Sequence, residues 1–91
     1  MNALLVNVTI TDREPALAVL REQIVPRASR APGFVSGYWL LSEDNGRGTS
    51  VLVFESAETA QALARVIESN GPPTDAVSFD GLELREVVAH A

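Results

Sequence analysis

The sequence contains no cysteine and only one histidine, His90, which stands next to the last residue. The first absence removes disulfides, thiolate zinc sites and a cysteine nucleophile. The second removes any multi-histidine metal site within one chain. Seven basic residues stand against twelve acidic ones, for a net charge of −5. Nucleic acid and anionic membrane both require clustered Lys and Arg, so neither is an expected partner. No apolar run is long enough to span a bilayer, and no basic segment precedes a long apolar core at the N-terminus, so the expected location is cytoplasmic. There is no glycine-rich phosphate loop: Gly46-Arg47-Gly48 follows a turn and opens a strand, not a helix. No carboxylates are paired in an apolar setting. Glu43-Asp44 belong to a turn, and Glu14, Glu22, Glu58 and Glu68 to solvated helix faces. Repeats, linkers and low-complexity segments are missing, and the 91 residues suit a single domain, residues 1–91, with a modest core.

What is there centres on residues 31–54, two β-type runs around Asn45-Gly46, the strongest short-range hairpin signal. A two-residue turn there pairs Asp44 with Arg47, Ser42 with Thr49, Leu40 with Val51 and Tyr38 with Val53. On the other face it pairs Leu41 with Ser50, Trp39 with Leu52 and Gly37 with Phe54. One face then carries Val35, Gly37, Trp39, Leu41, Leu52 and Phe54. The second carries Phe34, Tyr38, Leu40, Val51 and Val53 beside Ser36 and Glu55. Both are largely apolar, whereas a sheet covered on one side alternates apolar and polar, so this one needs two covers.

Before the hairpin, residues 3–10 read as a strand with Leu4, Val6, Val8 and Ile10 on one face and Ala3, Leu5, Asn7 and Thr9 on the other. A helix follows with Asp12 as its cap and Leu17, Leu20 and Ile24 on its apolar side. Pro26 predicts a kink, with the helix continuing through Ala28, until Pro32-Gly33 stop it. After the hairpin, Ser56 caps a second helix to about Asn70, with Ala60, Leu63, Val66 and Ile67 as its stripe and Gly71 at its C-terminal turn. Residues 77–79 read as a short extended piece, Asp80-Gly81 as a turn or bulge, and residues 82–89 as the last strand.

The order strand, helix, strand, strand, helix, strand predicts a ferredoxin-like α+β fold: a four-stranded antiparallel sheet, first and third strands central, with two helices on one face. The bare face, with Tyr38, Leu40, Val51 and Val53, predicts a homodimer packed isologously through the sheet.

The element order, the Pro32-Gly33-Phe34 entry, the Gly37-Tyr38-Trp39 run and the short tail after the last strand resemble the dimeric α+β barrel superfamily, and within it small proteins grouped with the antibiotic biosynthesis monooxygenases. That resemblance implies a barrel of two sheets and, in each subunit, a cavity between sheet and helices for an organic ligand. Some members oxidise polyphenolic substrates without metal or flavin, and others degrade haem. Haem-degrading relatives use a first-strand Asn together with a Trp and a His on the later helical segment. Here residues 56–70 contain neither Trp nor His, so haem is the weakest reading and no cofactor is expected.

Five residues are candidates for the site. Asn7 interrupts an apolar strand and needs partners for its amide, either in the dimer interface or on a ligand. Trp39 is a core residue under the helices or a cavity wall with its indole N–H on a ligand. Phe54 stands beside it in the expected register, and Tyr38 points to the opposite face. His90 is a frayed terminal residue, or a base or proton relay if the tail docks across a partner. The expected function is binding of a small apolar or aromatic molecule, with cofactor-independent monooxygenation as its activity. The alternative is a non-catalytic dimerisation or ligand-sensing module.

Overall fold

Alternation along the first strand sorts the whole molecule. A computed structural model describes residues 1–91. In β1 (Asn2–Ile10), Leu4 and Val6 are buried, while Leu5, Asn7 and Thr9 on the opposite face are only half-buried. β1 pairs antiparallel with β3 (Arg47–Phe54) on one side and β4 (Val77–Glu86) on the other; β2 (Phe34–Leu41) flanks β3, giving the order β2-β3-β1-β4. The first and third strands are therefore central, as the crossover rule requires. The helices cover one face. The core is Leu4, Val6, Leu52, Phe54, Ala60 and Ala64, where alanines let α3 (Ala57–Asn70) lie close to the sheet.

The helix after β1 runs past Pro26, as expected, but by a specific device. α1 (Arg13–Val19) passes into a π-helical turn (Leu20–Ile24) and then α2 (Val25–Ser29). Val25 N–H donates to Leu20 O, five residues back. Pro26 has no N–H, and its ring would strike the carbonyl four residues before it in an unbroken α-helix. The widened turn immediately upstream relieves that conflict. Asp12 occupies the cap position without a side-chain cap bond. α3 is capped as expected: Thr59 N–H donates to Ser56 Oγ at 3.2 Å, and Gly71 ends the helix at φ 70°. Val66 does not join its buried stripe; it is 52% exposed, and Ala64 faces the core instead.

The hairpin corrects the expected register. Trp39 faces Ser50, Tyr38 faces Val51, Leu40 faces Thr49 and Leu41 faces Gly48, two residues away from the expected pairs. The ladder closes at Ser42 and Arg47: Ser42 N–H donates to Arg47 O at 2.9 Å, and Arg47 N–H donates to Ser42 Oγ at 3.0 Å. Asp44 holds the four-residue loop, its Oδ1 accepting from Ser42 Oγ at 2.7 Å and from Gly46 N–H at 2.9 Å. Asn45 has positive φ, 62°, but Gly46 does not, so the type I′ turn is absent. A shift of two keeps every side chain on its face, so Trp39 and Tyr38 still point to opposite sides. A bulge between Phe34 and Ser36 moves Phe34 to the helix side, edge-on to Phe54 with centroids 5.9 Å apart, and turns Val35 outward. In β4 the two expected pieces are one strand, interrupted by a bulge at Asp80 where Gly81 faces Asn7 and Phe79 faces Val8. The strand ends at Glu86, before the expected Ala89.

Candidate functional site: an apolar cavity under the first helix

A small residue of α1 leaves space between the first helix and the sheet, where β3 packs closely against β1 at Gly48. Gly48 on β3 has no side chain, and a Cβ there would come within 3.0 Å of Val8 Cγ2 and 3.3 Å of Ile10 Cδ1. Ala16 presents only a methyl group from α1. Between them lies a cavity of about 150 Å³. Its floor is the helix-facing side of the sheet, with Val6, Val8 and Ile10 of β1, Trp39 and Leu41 of β2, Ser50 and Leu52 of β3, and Val77 and Phe79 of β4. Its roof is Leu17 and Val19 of α1, Leu20 and Ile24 of the π-helical turn, and Ile67 of α3. The turn that accommodates Pro26 therefore also supplies two of the roof side chains. π-turns inside helices concentrate at functional sites.

Fifteen of the nineteen lining residues are hydrophobic, and none is ionisable. Thr49 also touches the cavity, but its hydroxyl donates to Asn7 Oδ1 at 3.0 Å on the other face of the sheet. The polar side-chain groups left to the cavity wall are the Ser50 hydroxyl and the Trp39 indole N–H. Neither takes part in the side-chain hydrogen bonds within the chain. Gly37 sets the position of Trp39: a Cβ at residue 37 would meet Trp39 Cη2 at 3.0 Å, Leu52 Cδ2 at 3.1 Å and Phe34 Cζ at 3.1 Å. The indole occupies the space of the missing side chain. Chemically, such a site can desolvate an apolar molecule, stack it on an indole and make one or two hydrogen bonds. It holds no imidazole, thiolate, thioether or phenol to ligate iron, so haem does not fit it. Nowhere in the chain do three His, Cys, Asp or Glu side chains gather as a metal site.

No family model matches the sequence, and no curated protein matches it. Solved structures do. SnoaB, a cofactor-independent oxygenase from Streptomyces nogalater, superimposes with a TM-score of 0.69 at 13% identity, over 98% of this chain and 94% of that one. A variant of MhuD, the haem-degrading protein of Mycobacterium tuberculosis, with two manganese protoporphyrin IX molecules bound per active site, gives 0.67 at 21% identity, over 98% and 97%. A dimeric ferredoxin-like protein from an uncultured marine organism gives 0.62 at 15% identity, over 100% and 98%. These likenesses show the fold: a ferredoxin-like α+β arrangement of four antiparallel strands with helices on one face.

Within this fold the residues expected from the sequence do not converge on one place. Trp39 lines the cavity. Phe54 is fully buried beside Phe34 and forms core, not cavity wall. Asn7 and Tyr38 lie on the bare face of the sheet, away from the cavity: Asn7 bonded to Thr49, Tyr38 65% exposed. His90 is exposed in the tail beyond β4. Sequence reasoning missed Ser50. Its signal was a hydroxyl on the same face of β3 as Leu52 and Phe54, a polar interruption of the apolar side.

Proposed function

We propose that this protein is a homodimer that binds a small, mostly apolar aromatic molecule in the cavity beneath its first helix. The observation that carries the reading is the cavity itself: apolar on nearly every side, free of ionisable groups, and floored by Trp39. Dimerisation is supported by the bare sheet face, where Tyr38 is 65% and Leu40 54% exposed beside Leu5, Val51 and Val53. An apolar face of this kind is unusual on a monomer. The similarity to a dimeric ferredoxin-like protein points the same way. Thermal melts with a panel of apolar aromatic compounds test the binding. A compound at a hundred times its Kd should raise Tm by roughly 10–20 °C in a domain of this size. Ala16→Leu fills the cavity and should abolish that shift. Melts indifferent to every compound would overturn the reading.

A second reading, cofactor-independent monooxygenation of the bound molecule, is supported by the similarity to SnoaB. In it an electron-rich quinol-like substrate supplies all four electrons to one O2: two go with the new C–O bond, and two, with two substrate protons, reduce the other oxygen atom to water. The protein contributes desolvation, orientation and a hydrogen bond to developing negative charge. Trp39 and Ser50 are placed to do this from the cavity wall. Asn7 acts only if the substrate reaches the bare sheet face, and His90 only if the tail folds over a partner. Oxygen uptake with a panel of quinols, compared among the wild type, Ser50→Ala and Asn7→Leu, tests it. A loss in Ser50→Ala places the chemistry in the cavity; uptake at the uncatalysed rate with every quinol leaves a binding module.

A further inference from the structure

Resting on the binding reading above, we propose that the cavity selects an uncharged, single-ring aromatic that carries one hydroxyl, its ring against Trp39 and its hydroxyl bonded to Ser50 Oγ. Size argues for one ring. The cavity is about 150 Å³, the volume at which an apolar cavity engineered into another protein stays dry and takes a single benzene. A second fused ring would extend from the walled volume towards the side of the cavity that opens to solvent, where it gains few contacts.

Charge argues for neutrality. No Asp, Glu, Lys, Arg or His lines the wall. An ionised carboxylate or ammonium entering it would lose its hydration with no opposite charge to replace it. The net charge of −5 further disfavours anions at long range.

Polarity argues for one hydroxyl. Trp39 and Ser50 are direct cross-strand partners, which places their side chains side by side on the helix-facing surface. Ser50 Oγ is half-buried in an otherwise apolar wall and bonds to no protein group, whereas its neighbour Thr49 is satisfied by Asn7. That hydroxyl is open to water through the cavity, and it can exchange the water for a phenolic O–H, to which it can both donate and accept.

Isothermal titration of the dimer at pH 7 with toluene, phenol, benzoate and 1-naphthol, in the wild type and in Ser50→Ala, separates these arguments. Phenol is neutral at that pH and benzoate ionised. We expect toluene and phenol to bind and benzoate to show no binding at ten times the phenol Kd. 1-Naphthol should gain less than threefold over phenol. Ser50→Ala should weaken phenol by about three- to tenfold and leave toluene within twofold. Benzoate binding as tightly as phenol, 1-naphthol gaining tenfold or more, or phenol indifferent to Ser50→Ala would each overturn the selectivity while the binding reading stands. No heat with either toluene or phenol would overturn both.

Discussion

Trp39 and Ser50 face each other across the β2–β3 ladder, and both side chains border the same apolar cavity. The pair exists because the loop closes two residues earlier than a two-residue turn would close it. In the expected register Trp39 would face Leu52, and Ser50 would face Leu41. The direct pairing is therefore a consequence of the turn, and the turn is held by Asp44.

That turn has a testable anchor. Asn45 sits at φ 62°, where a β-branched side chain crowds the backbone. Asn45→Val should lower stability by about 1–2 kcal/mol, read as a lower urea midpoint with an unchanged m-value. Gly46 has no positive φ, so Gly46→Ala should cost less than Asn45→Val. The reverse ranking would place the left-handed residue at position 46.

The same loop carries a pH signature. Hydrogen bonds to Asp44 from the Ser42 hydroxyl first and the Gly46 N–H second, aided by nearby Arg47, hold its carboxyl below the ordinary carboxylate range. A depressed folded-state pKa contributes stability that is complete above the unfolded value, about 3.9, and is lost as pH falls through the folded value. The wild type should therefore exceed Asp44→Asn in urea midpoint at pH 7, and the gap should narrow below about pH 4. A gap that widens on acidification would contradict the assignment.

The bare sheet face makes a prediction about assembly. Val51 lies beside Tyr38 there, half-buried within a single chain. Val51→Asp would bury an unpaired charge in a sheet-to-sheet contact, at a cost of several kcal/mol. Sedimentation at micromolar concentration should give a dimer for the wild type and a monomer for the variant. A wild-type monomer would remove the homodimer.

Asn7 belongs to that face. Asn7→Leu keeps a similar volume but leaves Thr49 Oγ1 without its acceptor, 3.0 Å away in the native chain. Stability should fall by about 1–2 kcal/mol, while ligand binding in the cavity stays unchanged. A tenfold loss of ligand affinity in this variant would move the binding site to the other side of the sheet.

Much of this architecture was legible in residue order. Ser56 and Gly71 marked both ends of α3, Asp80-Gly81 marked the β4 bulge, and opposite parity put Tyr38 and Trp39 on opposite faces. Asn7 also shares parity with Leu5 and Thr9, so strand alternation alone sets it on the face away from the helices. The loop was not legible, because Asp44 competes for the Gly46 N–H and the Ser42 hydroxyl in a way that Asn-Gly propensity does not register. The Phe34 bulge was hidden because packing edge-on against Phe54 outweighs strict alternation. The cavity was least legible of all. It depends on Ala16 being small where the first helix faces the sheet, and on a π-turn whose cause, Pro26, lies outside it.

The chain has one tryptophan, so a nitrogen-15 correlation spectrum has one indole N–H resonance, and it comes from the cavity wall. Titrating phenol into the labelled dimer while following that resonance locates the ligand without any substitution. The Trp39 indole signal should move and saturate together with the backbone amides of Ser50 and Leu20, while those of Tyr38 and Val53 stay still. Saturable shifts at Tyr38, Val51 and Val53 with the Trp39 indole unmoved would contradict a site beneath the first helix.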